Sequence, residues 1–176
     1  MINNHNLYII VAADQEFGIG RDGKMPWNLK NELKHFQEVT TKTEDPDKQN
    51  MVLMGRTTWD SIPENHRPLK NRKNVVLTRN SDFVADGAVV ATSLEEAFLL
   101  ADDKTEDIYV IGGGRVYSDV TSMPQLDGIY LTQIHDIFEC DTHFPVIPES
   151  FGEPVNMGGS EDDDISYNYL FYKRQG

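Results

Sequence analysis

Ile108-Tyr-Val-Ile-Gly-Gly-Gly-Arg-Val-Tyr117 is the stretch whose reading decides the fold. Its first four residues are apolar without alternation, the pattern of a strand buried on both faces. Three glycines end that strand, and a helix is expected over Arg115–Val120. Met51-Val-Leu-Met-Gly-Arg-Thr-Thr-Trp59 repeats the arrangement of strand, glycine and helix start. Such alternation implies largely parallel strands joined by right-handed crossovers. The other candidate strands are Leu7–Ala13, Asn74–Thr78, Ala88–Ala91 and Ile129–His135, with Asn50–Met54 and Ile108–Ile111 in the quoted stretches. Candidate helices are Leu29–Thr40, Arg56–Ser61, Leu94–Ala101 and Arg115–Val120. Two late strands, Pro154–Met157 and Tyr167–Lys173, have only the polar turn Gly158-Gly-Ser-Glu-Asp-Asp-Asp164 between them, so an antiparallel hairpin is expected there. The acidic run Glu161–Asp164 reads as a solvated loop tip.

Bulk properties narrow the function classes. The 176 residues fit one domain, taken as 1–176, with enough chain to bury a core unaided. Sixteen Lys and Arg against 29 Asp and Glu give a formal charge of −13, which argues against nucleic acid or an anionic membrane as partner. An anionic ligand would need local arginines and backbone amides. Cys140 is the only cysteine, so no disulfide forms within the chain, which suits a reducing compartment. No His/Cys pair has zinc spacing, and no metal site is expected. Met1-Ile-Asn-Asn-His-Asn leads straight into a strand, and no apolar run approaches membrane-spanning length. A free-standing, monomeric, cytoplasmic protein is expected.

Gly18, Gly20 and Gly23 match the spacing of a dinucleotide fingerprint. That motif needs a helix to open within it. Met25-Pro26 follows instead, and proline disfavours helical geometry in the residue before it. Met54-Gly55-Arg56 also leaves no acid at the end of the second strand. The loop reads either as the hinge of a lid or as ordinary surface. At Gly55 and Gly112–Gly114, a glycine lets backbone approach a ligand and the new helix start offers free amides. Three glycines in a row after a buried strand are costly in entropy, which favours a binding role. Two such starts on one sheet could serve the phosphates of one dinucleotide.

Within Asn28-Leu-Lys-Asn-Glu-Leu-Lys-His-Phe36, the residues Leu29, Leu33 and Phe36 recur at helical spacing as a buried stripe, with Glu32 on its edge. Glu32 is either a solvated helix glutamate or a half-buried proton handler whose pKa is raised by burial.

Joined in order, these segments resemble dihydrofolate reductase. The pieces are Ile9-Ile-Val-Ala-Ala13, Gly18-Ile-Gly20, Met25-Pro-Trp27, Glu32 with Phe36, Met54-Gly-Arg-Thr-Thr-Trp59, Ser61-Ile62, Arg67-Pro-Leu69, Arg72, Ile111-Gly-Gly-Gly-Arg-Val-Tyr117, Tyr130-Leu-Thr132 and Asp141-Thr-His-Phe-Pro145. The resemblance implies an α/β domain with a central, mostly parallel eight-stranded sheet, a reversed terminal strand and about four flanking helices. It also implies NADPH-dependent reduction of 7,8-dihydrofolate, and antifolates as inhibitors.

By the same resemblance, Glu32 pairs with the pterin, Thr132 is linked to it, Trp27 holds a site water and Met25 lies in the lid. Ile10, Val11, Ala12, Leu33, Phe36, Ile62, Leu69, Ile111 and Tyr117 would surround the substrate, and Arg72 would take its α-carboxylate. Ala12, Ile19, Gly20, Gly55, Arg56, Thr57, Thr58, Thr78, Arg79, Ile111, Gly113, Gly114, Arg115, Val116 and Tyr117 match the cofactor side. Arg56 and Arg79, just past strand ends, are the candidates for the 2′-phosphate that separates NADPH from NADH. Thr92 stands where many members place a basic residue.

Three rivals make different demands. A related reductase acting on a pyrimidine should lack the set Glu32, Phe36 and Arg72. A non-catalytic dinucleotide-binding module would keep Gly112–Arg115 and lose the acid or the tryptophan. A paired-carboxylate hydrolase needs a second acid beside Glu32.

Overall fold

The structure, a computed structural model, describes residues 1–176. In chain order the elements are β1 (Leu7–Ala13), β2 (Gly18–Gly20), α1 (Lys30–Thr41), β3 (Gln49–Gly55), α2 (Arg56–Ser61), β4 (Lys73–Leu77), β5 (Val89–Ala91) and α3 (Leu94–Leu99). They continue with β6 (Thr105–Gly112), α4 (Gly114–Thr121), β7 (Gly128–Ile134), β8 (Thr142–His143), β9 (Val155–Asp162) and β10 (Ile165–Lys173). Eight strands form one sheet in the order β5-β4-β3-β6-β1-β7-β10-β9. Pairing is parallel from β5 through β7, and β10 runs antiparallel to both β7 and β9. The expected sheet and its four helices are therefore present. No helix is long and apolar enough to cross a membrane.

The period of two along the strands builds two cores. Leu7, Ile9, Val11, Met51, Leu53, Ile108, Val110, Ile129 and Leu131 face one side, where Phe98 of α3 and Val116 and Val120 of α4 cover them. Ile10, Val52, Met54, Val76 and Tyr109 face the other, against Trp59, Phe36, Val39 and Ile62. A third group, Trp27, Leu29, Ile134 and Tyr167, closes the region beyond the carboxyl ends of β1 and β7.

Four local readings change. Gly18–Gly20 is a short strand paired with β8, not open loop. α1 starts one residue later than expected, with Leu29 as its N-cap, and α3 stops at Leu99. The polar segment Gly158–Asp162 belongs to β9, so the turn shrinks to Asp163-Asp164. Both turn residues have left-handed φ, 49° and 66°, a two-residue hairpin turn that Asp tolerates better than most side chains.

The apolar stripe is also rotated. Leu33 is 45% exposed, while Glu32 is 6% exposed and Thr40 fully buried, so the inward face runs through Glu32, Phe36, Val39 and Thr40. Leu29 is buried, but in the third group with Trp27. The helix places a carboxyl group, rather than a leucine, at the centre of its covered face.

Candidate active site

Glu32 reaches across from α1 to β7, where Thr132 Oγ1 donates to its Oε1 at 3.4 Å. Thr132 pairs with Ala12 of β1, so acid and hydroxyl meet beside the strand at the middle of the sheet. Burial pushes the Glu32 carboxyl up to about 7, and the Thr132 hydrogen bond opposes that rise only in part. On α4, burial raises the Tyr117 phenol and the charge of Glu32 adds to that rise, so the acid acts electrostatically on the glycine-led helix. Tyr117 Oη donates to the Ile10 carbonyl at 2.8 Å, which locks α4 to β1.

Trp27 packs edge-on against Phe138, with ring centroids 5.2 Å apart. Its indole Nε1 is buried and has no acceptor within the protein. A buried donor left over in this way calls for a solvent molecule or a ligand.

The two glycine turns interlock. A Cβ on Gly112, whose φ is 139°, would lie 3.0 Å from Thr58 Oγ1, and one on Gly55 would lie 3.3 Å from Val116 Cγ2. The Gly112–Gly113 peptide bond is cis. The N-cap of α4, Gly113, supplies no side-chain acceptor, so the first amides of that helix have no side-chain cap. Arg56 is braced by Asp60 at 3.4 Å and by the Phe83 ring 4.2 Å beneath it. Arg79, Arg115 and Thr57 are exposed, and Thr58 and Thr78 half-buried.

At the other end of α1, Arg72 Nη1 donates to Thr40 Oγ1 at 3.0 Å and Nε to the Lys70 carbonyl at 2.8 Å. Burial lowers the pKa of this guanidinium. It is thus held in place by two hydrogen bonds and half-buried, unlike a free surface charge. Met25 is 53% exposed.

Asp14, which sequence reasoning passed over, organises the segment between β1 and β2. It is 3% exposed and accepts N–H bonds from Gly18 at 2.8 Å, Glu16 at 2.9 Å and Phe138 at 3.0 Å. Burial alone would raise its pKa, but those amides outweigh it and hold the carboxyl below the usual range. An Asp directly after an apolar strand and before a glycine turn is the signal that could have marked it. Gly18 is required by close approach: a Cβ there would sit 2.6 Å from Cys140 Sγ. Further along, Asp22 N–H donates to Asp141 Oδ2 and Asp141 N–H to the Gly20 carbonyl, each at 2.9 Å. Ile19 and Thr142 bring this frame to Gly114, at 3.9 and 2.7 Å from where its Cβ would stand. A shallow polar depression around His5, Lys48, Asp102 and Glu106 lies at the opposite, amino ends of the strands and joins none of these groups.

A buried acid, an orphan indole donor and interlocked glycine turns at the carboxyl ends of parallel strands define an α/β protein whose candidate site lies at that edge of its sheet. The chain belongs to the dihydrofolate reductase family, whose profile, described as "Dihydrofolate reductase", matches residues 6–175. It is 39% identical over 175 residues to the dihydrofolate reductase of Drosophila melanogaster, covering 94% of this chain and 96% of that protein. It is 44% identical over 175 residues to the bifunctional dihydrofolate reductase-thymidylate synthase of Daucus carota, covering 94% of this chain and 33% of that protein. The chain thus spans about a third of the length of the plant bifunctional relatives it matches. The solved Schistosoma mansoni dihydrofolate reductase superposes with a TM-score of 0.85 at 30% identity, covering 98% of this chain and 100% of that one.

Proposed function

We propose that the chain reduces 7,8-dihydrofolate to 5,6,7,8-tetrahydrofolate with NADPH. The observation that carries this reading is the Glu32 carboxyl, buried, held by Thr132 and poised near neutrality beside the glycine-led helix. NADPH, when bound, supplies the hydride that reaches pterin C6. The residues fit it: Gly112 and Gly113 lie against Thr58, Gly114 leaves no room for a side chain beside Thr142, and the start of α4 has no side-chain cap. Arg115, Val116, Tyr117, Ile111, Ala12, Ile19 and Gly20 would border it. Gly55, Arg56, Thr57, Thr78 and Arg79 would take its adenosine phosphate end, the two arginines holding the 2′-phosphate.

On the substrate side, Glu32 accepts hydrogen bonds from the pterin 2-amino group and ring nitrogen while Thr132 fixes its rotamer. Trp27 gives its free indole N–H to solvent at the same site. The negative charge of Glu32 favours the protonated pterin, and N5 takes its proton from water without contact to Glu32. Ile10, Val11, Ala12, Leu33, Phe36, Ile62 and Leu69 would wall the rings. Arg72, with two nitrogens already committed to Lys70 and Thr40, would offer the remaining one to the α-carboxylate. The lid that carries Met25 would exclude bulk water, and antifolates would compete for Glu32. Cys140 as the only thiol suits a reducing, cytoplasmic setting.

The test is loss of absorbance at about 340 nm, the reduced-nicotinamide band. Dihydrofolate-dependent oxidation should be faster with NADPH than with NADH, and no dihydrofolate-dependent oxidation with either would remove the reading.

A further inference from the structure

α1 begins without a cap of its own. Leu29 at its N-cap supplies no side-chain acceptor, and the one acid of its first turn, Glu32, is turned toward Thr132. The missing acceptor comes from Asp162, 131 residues away in sequence. Its Oδ2 accepts the Asn31 N–H at 3.0 Å and its Oδ1 accepts Asn31 Nδ2, also at 3.0 Å. Tyr167 Oη donates to the same Oδ2 at 2.5 Å, which fixes the carboxylate.

The hairpin also grips α1 on the far side of Glu32. Tyr169 Oη donates to the Asn31 carbonyl at 3.4 Å, and its ring stacks on His35 with centroids 3.7 Å apart and planes 15° from parallel. In the β10–β7 ladder, Tyr169 stands opposite Thr132. One strand therefore indexes both members of the Glu32–Thr132 pair. At 3.4 Å their hydrogen bond is already long, so a slip of a few tenths of an ångström in α1 would break it.

We propose that Asp162, at the acidic turn of the C-terminal hairpin, is a positioning residue for Glu32: by capping α1 at Asn31 it sets the height of the catalytic carboxyl above Thr132. The inference rests on the reading of Glu32 as the group that holds the pterin. It assigns a task to one member of an acidic run that otherwise reads as solvated surface. The charge itself is not the requirement; the acceptor oxygen at the Asn31 N–H is.

The experiment is steady-state kinetics with dihydrofolate and NADPH, alongside NADPH binding followed by quenching of protein fluorescence. Asp162→Ala should lower kcat/KM for dihydrofolate about tenfold while the Kd for NADPH stays within about twofold, because only the substrate side of the cleft shifts. Asp162→Asn, which keeps an acceptor oxygen, should recover most of that loss. Asp163→Asn, which removes the neighbouring charge and no bond to α1, should match the wild type. Asn31→Ala in the Asp162→Ala background should add no further loss, since both changes break one contact. If Asp162→Ala does not fold, Asp162→Val, which also removes both acceptor oxygens, carries the comparison with the same criteria. An Asp162→Ala enzyme equal to wild type, or one that loses NADPH binding by the same factor as kcat/KM, overturns the proposal. A wild-type protein inactive on dihydrofolate overturns instead the function on which it rests.

Discussion

At Glu32, burial and the Thr132 hydroxyl pull in opposite directions, and burial wins. The folded-state pKa of about 7 lies above the ordinary 4.5, so the protonated form supplies stability that is whole below about pH 4.5 and is lost as pH rises through about 7. The shift corresponds to a folding cost on the order of 3 kcal/mol once the group is ionised. Glu32→Gln should therefore unfold at a higher temperature than wild type at about pH 8 and at nearly the same temperature at about pH 4, read by calorimetry. The same change should lower turnover about 10²–10⁴-fold, the usual scale for a group that manages protonation. A residue kept at the expense of stability is the expected mark of a site, as function commonly trades against folding energy.

The lid depends on one side chain. Asp14 gathers three backbone amides at the end of β1, and its folded pKa is lowered, so its contribution is present at neutral pH and disappears as the solution becomes strongly acid. Asp14→Ala should cost about 2–3 kcal/mol, since hydrogen bonds to a charged group are lost and amides are left buried. It should also speed amide hydrogen exchange at Gly18 and Phe138 more than in the central strands; uniform change would show that Asp14 serves the whole fold and not the lid.

Elements differ in how far the chain reveals them. β3 and β6 declare themselves by the apolar runs Met51–Met54 and Ile108–Ile111, and each ends at a glycine that another turn approaches within 4 Å. Asp14 does not declare itself, because its partners come from Phe138 in another part of the chain as well as from its own loop. The face of α1 misleads for a physical reason. Leu29, Leu33 and Phe36 have helical spacing, yet Leu29 is the cap and belongs to the Trp27 group, which leaves Glu32 rather than Leu33 on the covered side. The second half of β9, beyond the expected Pro154–Met157, is masked by Gly158 and Gly159, whose low strand propensity is overruled by pairing with β10.

For the molecule as a whole, a net charge of −13 opposes the approach of phosphorylated and carboxylated ligands. On the proposed function, capture would then depend on short-range contacts at Arg56, Arg79, Arg72 and the start of α4. Screening should help: the association rate for NADPH should rise with ionic strength from about 10 to about 150 mM, as the Debye length falls from about 30 to about 8 Å. Stopped-flow fluorescence reads this directly, and a rate that falls with salt would point to a locally positive approach path.

The central claim is that a buried, protonatable Glu32 governs reduction of a pterin in the cleft beside the glycine turns. Its most direct test is kcat/KM for dihydrofolate from about pH 5 to about pH 9 in wild type and Glu32→Gln, since this ratio reports ionisations of the free enzyme and free substrate. Wild type should lose activity through one ionisation near pH 7, because the proton that ends on the bound pterin can enter with Glu32 of the free enzyme, and Glu32→Gln should be far slower without that inflection. Equal rates in the two proteins across the range, or an unchanged inflection after the substitution, would contradict the account.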